Sequence, residues 1–186
     1  MDTTTAVILI LAVVVVAILA WLLYRERRSR SLRTRFGPEY EHAIREFGGR
    51  SKAEDALLAR QKRMEKIRIR PLPAEERDRF ADRWHDVQSR FVDDPPGSIQ
   101  EADQLVNQLM LARGYPMSDF EVRAEDLSVE YPHVVRNYRA AHAIALKRDK
   151  GEASTEDLRK ALVYYRDLFD ELLGVHAAVG PREVRR

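Results

Sequence analysis

The sequence predicts an all-α protein, with an N-terminal transmembrane helix, charged stalk helices and then a small antiparallel helical bundle. Three observations lead to this fold class. An uninterrupted apolar run lies near the start of the chain, apolar residues recur at helical spacing in the rest, and no segment of useful length alternates as a β-strand does. With 186 residues, the chain has room for one domain of ordinary size beside the membrane segment.

The apolar run extends from Ala6 to Tyr24 and contains no charged side chain. As a helix rising about 1.5 Å per residue it is about 28 Å long, close to the ~30 Å hydrocarbon core of a bilayer. Trp21 and Tyr24 lie at its end, where aromatic side chains favour the membrane interface. We therefore expect a single transmembrane helix over residues 6–24, preceded by a short external N-terminus of residues 1–5.

A cleaved signal peptide is the competing interpretation of this run. Signal peptides begin with basic residues, have a shorter apolar core and end at a cleavage site with small residues. Residues 1–5 contain no Lys or Arg, and no convincing cleavage site precedes the arginines that follow Tyr24. The pattern therefore favours a retained anchor.

An arginine-rich juxtamembrane segment, residues 25–36, follows the span and holds six Arg against one acidic residue, Glu26. The positive-inside rule places this flank in the cytoplasm and the N-terminus outside. Contact with anionic lipids is a second interpretation of the arginines, whereas a nucleic-acid site is disfavoured because only Phe36 is available for base stacking. The predicted membrane interface consists of Trp21, Tyr24, Arg25, Arg27, Arg28 and Arg30.

The charge and cysteine content of the remaining chain exclude several classes of function. Residues 37–186 carry 26 basic and 28 acidic side chains, so the body is slightly acidic and we expect no nucleic-acid partner. The chain has no Cys, which excludes disulfides, thiolate metal sites and a cysteine nucleophile.

Residues 37–71 are predicted to form a helical stalk. Pro38 can occupy the first position of one helix, which ends at Gly48 and Gly49. Ser51 and Glu54 have the spacing of a capping box and predict the start of a second helix that Pro71 ends. Its apolar stripe is narrow and flanked by charge, which suits a stalk or a partner helix better than a globular core.

Residues 72–174 are predicted to form the bundle, beginning with a helical hairpin. After Pro73, one aromatic face recurs at spacings of four, three and four residues, namely Phe80, Trp84, Val87 and Phe91. Asp93 and Asp94 precede two prolines, so we interpret them as turn and helix-capping residues rather than a catalytic pair. Ser98 and Glu101 are predicted to cap the next helix, which Gly114 ends.

A second hairpin is predicted after a short helix that Ser118 and Glu121 would cap. One helix begins at Pro132 and ends near Gly151, and the last begins near Ser154 and ends at Gly174. Short turns between long amphipathic helices indicate antiparallel neighbours. Residues 175–186 have no apolar stripe and are predicted to be a loose tail.

The search for catalytic or cofactor motifs yields no catalytic, cofactor-binding or metal-binding residue. The chain has no glycine-rich phosphate loop, no G-x-S-x-G and no H-E-x-x-H sequence. Glu130 and His133 form a single E-x-x-H pair, whereas a di-iron bundle needs two. We interpret His142 as a core or boundary residue, and the only polar cluster worth testing is Arg113, Tyr138, Arg139 and His142.

The chain contains three short strings, Arg35-Phe36-Gly37-Pro38-Glu39-Tyr40, Arg90-Phe91-Val92-Asp93-Asp94-Pro95 and Arg113-Gly114-Tyr115-Pro116. Together they resemble a family of uncharacterised bacterial proteins that are single-pass, membrane-anchored and helical, often labelled hypothetical or secreted. The resemblance implies this architecture and a bacterial source, and it implies no site residues. A label of "secreted" would conflict with the cytoplasmic placement of the arginine flank.

Two classes of function remain open from the sequence. The first is a non-enzymatic module at the inner face of the membrane, which recruits or organises a protein partner or self-associates through the stalk. The second is a small ligand-binding or enzymatic domain whose site is assembled from dispersed polar residues. A structure discriminates between them, because the second class needs the four polar residues to converge on a pocket.

Overall fold

The structure is a computed structural model that describes the backbone of residues 3–174 and the side chains of residues 11–174. Over this range the chain forms eight α-helices and no β-strand, so the all-α prediction is confirmed. The predicted tail, residues 175–186, lies outside the described residues. The helices are α1 (Thr3–Phe36), α2 (Pro38–Phe47), α3 (Arg50–Met64), α4 (Ala74–Arg90), α5 (Pro95–Arg113), α6 (Phe120–Glu130), α7 (Pro132–Asp149) and α8 (Thr155–Leu173).

The chain divides into two compact units, and the division falls within α3, between Leu57 and Leu58. Unit 1 contains α1, α2 and the beginning of α3. Unit 2 contains the end of α3 and the helices α4 to α8. The predicted stalk, residues 37–71, therefore contributes to both units.

Unit 1 is built around the second half of α1. Leu32 and Phe36 of this helix are buried, together with apolar residues of α2 and α3, namely Tyr40, Ala43, Ala53 and Leu57. Gly37 separates α1 from α2 with a positive φ of 48°, and Pro38 begins α2 as the sequence predicts. The chain can therefore reverse between the two helices and pack α2 against α1.

The first half of α1 exposes its apolar side chains. From Leu11 to Tyr24, the large side chains have exposed fractions between 47% and 67%. Residues 6–10 of the predicted transmembrane helix lie outside the residues whose side chains are described. Among the described residues, no helix has both the length and the apolar character needed to cross a membrane.

The contacts between side chains give the helix directions in unit 2. Asn137 donates to Asp167, and His133 near the start of α7 contacts Glu171 near the end of α8, so these helices are antiparallel. Helices α4 and α5 are likewise antiparallel, because residues 83 and 90 bond residues 108 and 101. Residues 103 and 113 of α5 meet residues 165 and 172 of α8, so that pair is parallel.

The aromatic face predicted for α4 is only partly buried in the core of unit 2. Trp84 is buried and stacks on Phe169 with ring centroids 4.6 Å apart, and Val87 is also buried. Phe80 and Phe91 of the same face are half-buried. The spacing therefore identified the inward side of α4, although its two ends lie at the margin of the core.

The three predicted capping boxes are absent, whereas the predicted helix start near Ser154 is confirmed. Helix α5 begins at Pro95, where Asp94 accepts a hydrogen bond from the Gly97 N–H at 3.0 Å, and Ser98 is fully buried in the first turn. Helices α3 and α6 begin at Arg50 and Phe120 without the predicted serine caps. Ser154 and Asp157 form a complete capping box at α8. Pro95 explains the first error, because proline favours the first turn and moves the helix start before Ser98.

Helix α3 ends at Met64 rather than at Pro71. Its last turn tightens, since the Ile67 N–H donates to the Met64 carbonyl at 2.9 Å. The chain then extends, and the Arg70 N–H donates to the carbonyl of Arg113 at the end of α5. A partner outside the helix thus satisfies the backbone of this segment, which sequence spacing does not reveal.

Candidate functional site

The predicted membrane interface lies at the junction between the exposed and the packed halves of α1. Trp21, Tyr24, Arg25, Arg27 and Arg30 are exposed, and Arg28 is half-buried. The Arg25 guanidinium lies 5.5 Å from the centre of the Trp21 ring, within the range of a cation–π contact. The structure therefore places all six predicted interface residues within a short stretch of one helix.

Folding neutralises half of the arginines that the sequence shows as a single basic run. Arg28 pairs with Asp55 at 2.6 Å, Arg30 with Glu26 at 3.0 Å, and the third pair joins Arg33 to Glu41 at 2.6 Å. Two of these carboxylates come from α2 and α3, so the sequence around α1 does not reveal them. Within the described part of this run, the arginines without a carboxylate partner are Arg25, Arg27 and Arg35.

A buried carboxylate, Glu54, joins the three helices of unit 1. Its Oε1 accepts hydrogen bonds from the Ser29 hydroxyl of α1, from the Tyr40 hydroxyl of α2 at 2.8 Å and from Arg50 Nε at 3.1 Å. Burial by itself would raise the pKa of Glu54, but these hydrogen bonds outweigh burial and hold the pKa below its usual value. The ionised carboxylate therefore fixes the packing of α1 against α2 and α3.

A second ionic network lies in unit 2, between the end of α3 and α6. Arg60 donates to Glu125 at 3.1 Å, and Arg63 bonds both Glu125 and Asp126. Arg60 and Asp126 are almost fully buried. Burial raises the pKa of Asp126 despite the neighbouring Arg63. Nothing in the sequence singled out these residues, because the paired groups are more than sixty positions apart.

Two of the four predicted polar residues contact the same aromatic ring. Tyr138 and His142, one turn apart on α7, both contact the Phe120 ring, which stacks on His142 at 3.6 Å between ring centroids. The Tyr138 hydroxyl has no hydrogen-bond partner of good geometry among the described residues, and burial raises its pKa to about 12. Burial also lowers the pKa of His142, so both groups favour their neutral forms near pH 7.

Behind this pair, a buried tyrosine is tied to a neighbouring helix. The Tyr165 hydroxyl of α8 donates to Asp103 of α5 at 2.9 Å, and the other Asp103 oxygen accepts from Asn107 at 3.2 Å. Burial, with the adjacent Asp103 charge, raises the pKa of Tyr165. Both phenols therefore stay protonated at neutral pH, and the hydrogen bond between α5 and α8 fits a structural role.

Of the other two predicted polar residues, Arg113 is engaged elsewhere, whereas Arg139 directly follows Tyr138 on α7 and its partner Glu121 is next to Phe120. Arg113 donates to the Tyr131 hydroxyl at 2.6 Å and to the Leu172 carbonyl at 3.1 Å. Arg139 contacts Glu121 at 3.7 Å. Arg113 thus lies beside the end of α8, whereas Tyr138 and His142 surround Phe120. The four residues do not converge on one pocket among the cavities lined by described residues.

In the described part of the chain, no group of three or more His, Asp or Glu side chains has an arrangement that could hold a metal ion. His133 of the E-x-x-H pair contacts Glu171, and Glu130 accepts from Tyr115. The two residues therefore serve separate contacts.

No protein-family model, no curated protein and no solved structure matches this chain.

Proposed function

We propose that the protein is a membrane-anchored, non-enzymatic helical module that recruits or organises a protein partner at the inner face of a bacterial membrane. In this proposal residues 6–24 span the bilayer, the N-terminus faces outward and the two folded units lie in the cytoplasm. The side chains that the structure describes begin at Leu11 and therefore cover only part of this span. The arginine flank of the apolar run supports the orientation.

The exposure of α1 is the observation that carries the proposal. Large apolar side chains at consecutive positions, from Val13 to Val16 and from Trp21 to Tyr24, are about half exposed or more, so apolar surface covers the whole circumference of the helix. A helix that docks on one protein groove has an apolar stripe and a polar face. Apolar surface on every side is instead typical of a helix surrounded by lipid.

The continuity of α1 adds a mechanical argument. The helix runs without interruption from its exposed apolar half to buried Leu32 and Phe36, and the Glu54 network fixes the second half in unit 1. The anchor therefore ends inside a folded unit rather than in a flexible linker. A partner bound by unit 1 would be held at a defined distance from the bilayer.

The non-enzymatic part of the proposal is supported by the polar residues of unit 2. Arg113 is separated from Tyr138 and His142, and the buried phenols are held in their neutral forms near pH 7. Acid–base catalysis needs groups whose pKa lies near the working pH and which reach one substrate.

Membrane fractionation of the full chain tests the anchor. We expect the wild type to resist extraction by alkaline carbonate, and the double variant Val15→Arg/Leu19→Arg to enter the soluble fraction, because each charge at the centre of a span costs about 2.5–3.5 kcal/mol. The matched control is Val92→Arg, which changes another exposed apolar residue, 84% exposed, in unit 2. Equal extraction of wild type and double variant would contradict the proposal.

Crosslinking in intact cells tests the partner. We expect the full chain to recover one protein in near-stoichiometric amount, or a second copy of itself, while the Val15→Arg/Leu19→Arg variant loses it. Repeated recovery of no stoichiometric protein, together with a monomeric state in detergent, would count against recruitment.

A further inference from the structure

The junction of α1 and α3 contains a cavity of about 200 Å³ lined by aromatic, cationic and hydroxyl groups and by one carboxylate. We propose that it binds the phosphodiester headgroup of an anionic phospholipid, of which phosphatidylglycerol is the simplest example. This inference rests on the proposed membrane anchor and names the lipid that its interface would select. The lining residues are Trp21, Tyr24, Arg25, Arg28, Ser51 and Glu54.

The spacing of the α1 residues explains how the cavity forms. Trp21, Tyr24, Arg25 and Arg28 recur at intervals of three, one and three positions, so they lie on one side of the helix. The aromatic pair is nearer the exposed apolar half, and the two arginines lie toward unit 1. A lipid whose acyl chains run beside Trp21 would thus bring its phosphate to the arginines.

Two donors in this cavity remain available to an anion. Arg25 has no carboxylate partner among the described residues, and its guanidinium rests over the Trp21 ring. Arg28 uses one terminal nitrogen for Asp55, while its Nε is buried and has no hydrogen-bond partner among the described residues. An unmatched buried N–H is costly, and a phosphate oxygen would satisfy it.

The acidic side chains near the cavity are already matched by cations. Glu54 accepts three hydrogen bonds at one oxygen and is paired with Arg50, and Asp55 is paired with Arg28. The charge of Arg25 is therefore left in excess. A single negative charge, which a phosphodiester carries at neutral pH, would complement it.

Lipids with brominated acyl chains test the proposal, because bromine quenches nearby tryptophan fluorescence. The full chain is reconstituted in phosphatidylcholine vesicles that contain a small fraction of brominated phosphatidylglycerol or brominated phosphatidylcholine. A Trp21→Phe variant measures the fluorescence of Trp84, the second Trp of the chain, which is subtracted from that of the wild type. The ratio of quenching by the two lipids gives their relative affinity for the surroundings of Trp21.

We expect wild-type protein to prefer the brominated phosphatidylglycerol about fivefold, the effect of one arginine at an anionic surface. Arg25→Gln should abolish the preference. The matched control Arg35→Gln should keep it, because Arg35 is also exposed, lies outside the cavity and likewise has no carboxylate partner in the part of the chain that the structure describes. Equal preference in wild type and Arg25→Gln, or none in wild type, would overturn the headgroup site.

Two further outcomes distinguish a lipid headgroup site from a site for free phosphate and from failure of the anchor. If millimolar inorganic phosphate removes the preference, the cavity binds free phosphate and the lipid assignment is wrong. If neither brominated lipid quenches Trp21, the anchor fails together with the headgroup site. Equal quenching by both lipids retains the anchor and overturns the headgroup site alone.

Discussion

Glu54 shows how one residue can hold several helices together while lying in an unremarkable sequence. Its spacing from Ser51 predicts a capping box, but its carboxylate bonds residues 14 and 25 positions away. The spacing of Ser51 and Glu54 predicts a hydrogen bond within one helix turn. The hydroxyl donors that Glu54 bonds instead are brought to it only by the packing of α1 and α2. The sequence therefore predicts the helix and misses the role of the side chain.

Substitution of Glu54 by Gln should destabilise the full chain in detergent micelles by about 2 kcal/mol at pH 7, because a hydrogen bond to a charged group contributes about 1.5–3 kcal/mol. Chemical denaturation followed by circular dichroism measures the change. Asp55→Asn, a neighbour that is largely exposed, is the control and should cost less than about 1 kcal/mol.

The same residue predicts a pH dependence. The pKa of Glu54 is lower in the folded chain than in the unfolded chain, where it is about 4.5. Its contribution to the free energy of unfolding is therefore complete above that unfolded-state pKa and is lost as the pH falls through the folded-state pKa. Wild-type stability should therefore fall more steeply than that of Glu54→Gln as the pH is lowered below about 5. Parallel curves for the two proteins would contradict the assignment of an ionised Glu54.

His142 supplies a pH effect of different origin in unit 2. Burial lowers its pKa, with Asp103, Glu121 and Asp149 opposing that shift and Arg123 adding to it. As the pH is lowered, His142 takes up a proton in the unfolded chain before it does so in the folded chain. The contribution of neutral His142 to the free energy of unfolding is therefore complete above pH 6.5 and falls as the pH is lowered. We expect a larger loss between about pH 7.5 and 5.5 in wild type than in His142→Gln. The exposed His85→Gln is the control and should behave as wild type.

At the scale of elements, helix ends were predicted best where a proline or a glycine marks them. Pro38 and Pro132 begin their helices, and Gly48, Gly114 and Gly174 end theirs with positive φ. Proline fixes φ and glycine permits the left-handed region, so both act without tertiary partners. Serine caps depend on competition for a backbone N–H, and none of the three predicted capping boxes forms.

Gly114 gives a prediction for the end of α5. Its φ is +96°, and a Cβ atom there would lie 2.7 Å from the Arg68 carbonyl oxygen. Gly114→Ala should therefore destabilise the chain by about 2–3 kcal/mol, through left-handed strain and displacement of this backbone. Gly174→Ala shares a positive φ, but no atom of the described residues lies within 4 Å of the added Cβ, so about 1 kcal/mol is expected. Thermal denaturation of both variants measures the difference.

At the scale of the molecule, the net charge of the chain is informative only when it is assigned to separate segments. The net charge of +2 combines an arginine-rich flank with a slightly acidic body. Folding reduces the unpaired positive charge of the flank, because carboxylates of unit 1 neutralise Arg28, Arg30 and Arg33. The excess positive charge is left partly at Arg25 and Arg27, next to the apolar half of α1. This placement fits an anionic membrane surface.

The proposal that α1 crosses the membrane with the folded units inside is directly measurable, because the chain has no native Cys. Single cysteines are introduced by Thr3→Cys and Glu152→Cys and treated in spheroplasts with a membrane-impermeant maleimide. We expect labelling at position 3 in intact spheroplasts and at position 152 only after lysis. Labelling of position 152 before lysis, or of neither position until lysis, would refute this topology.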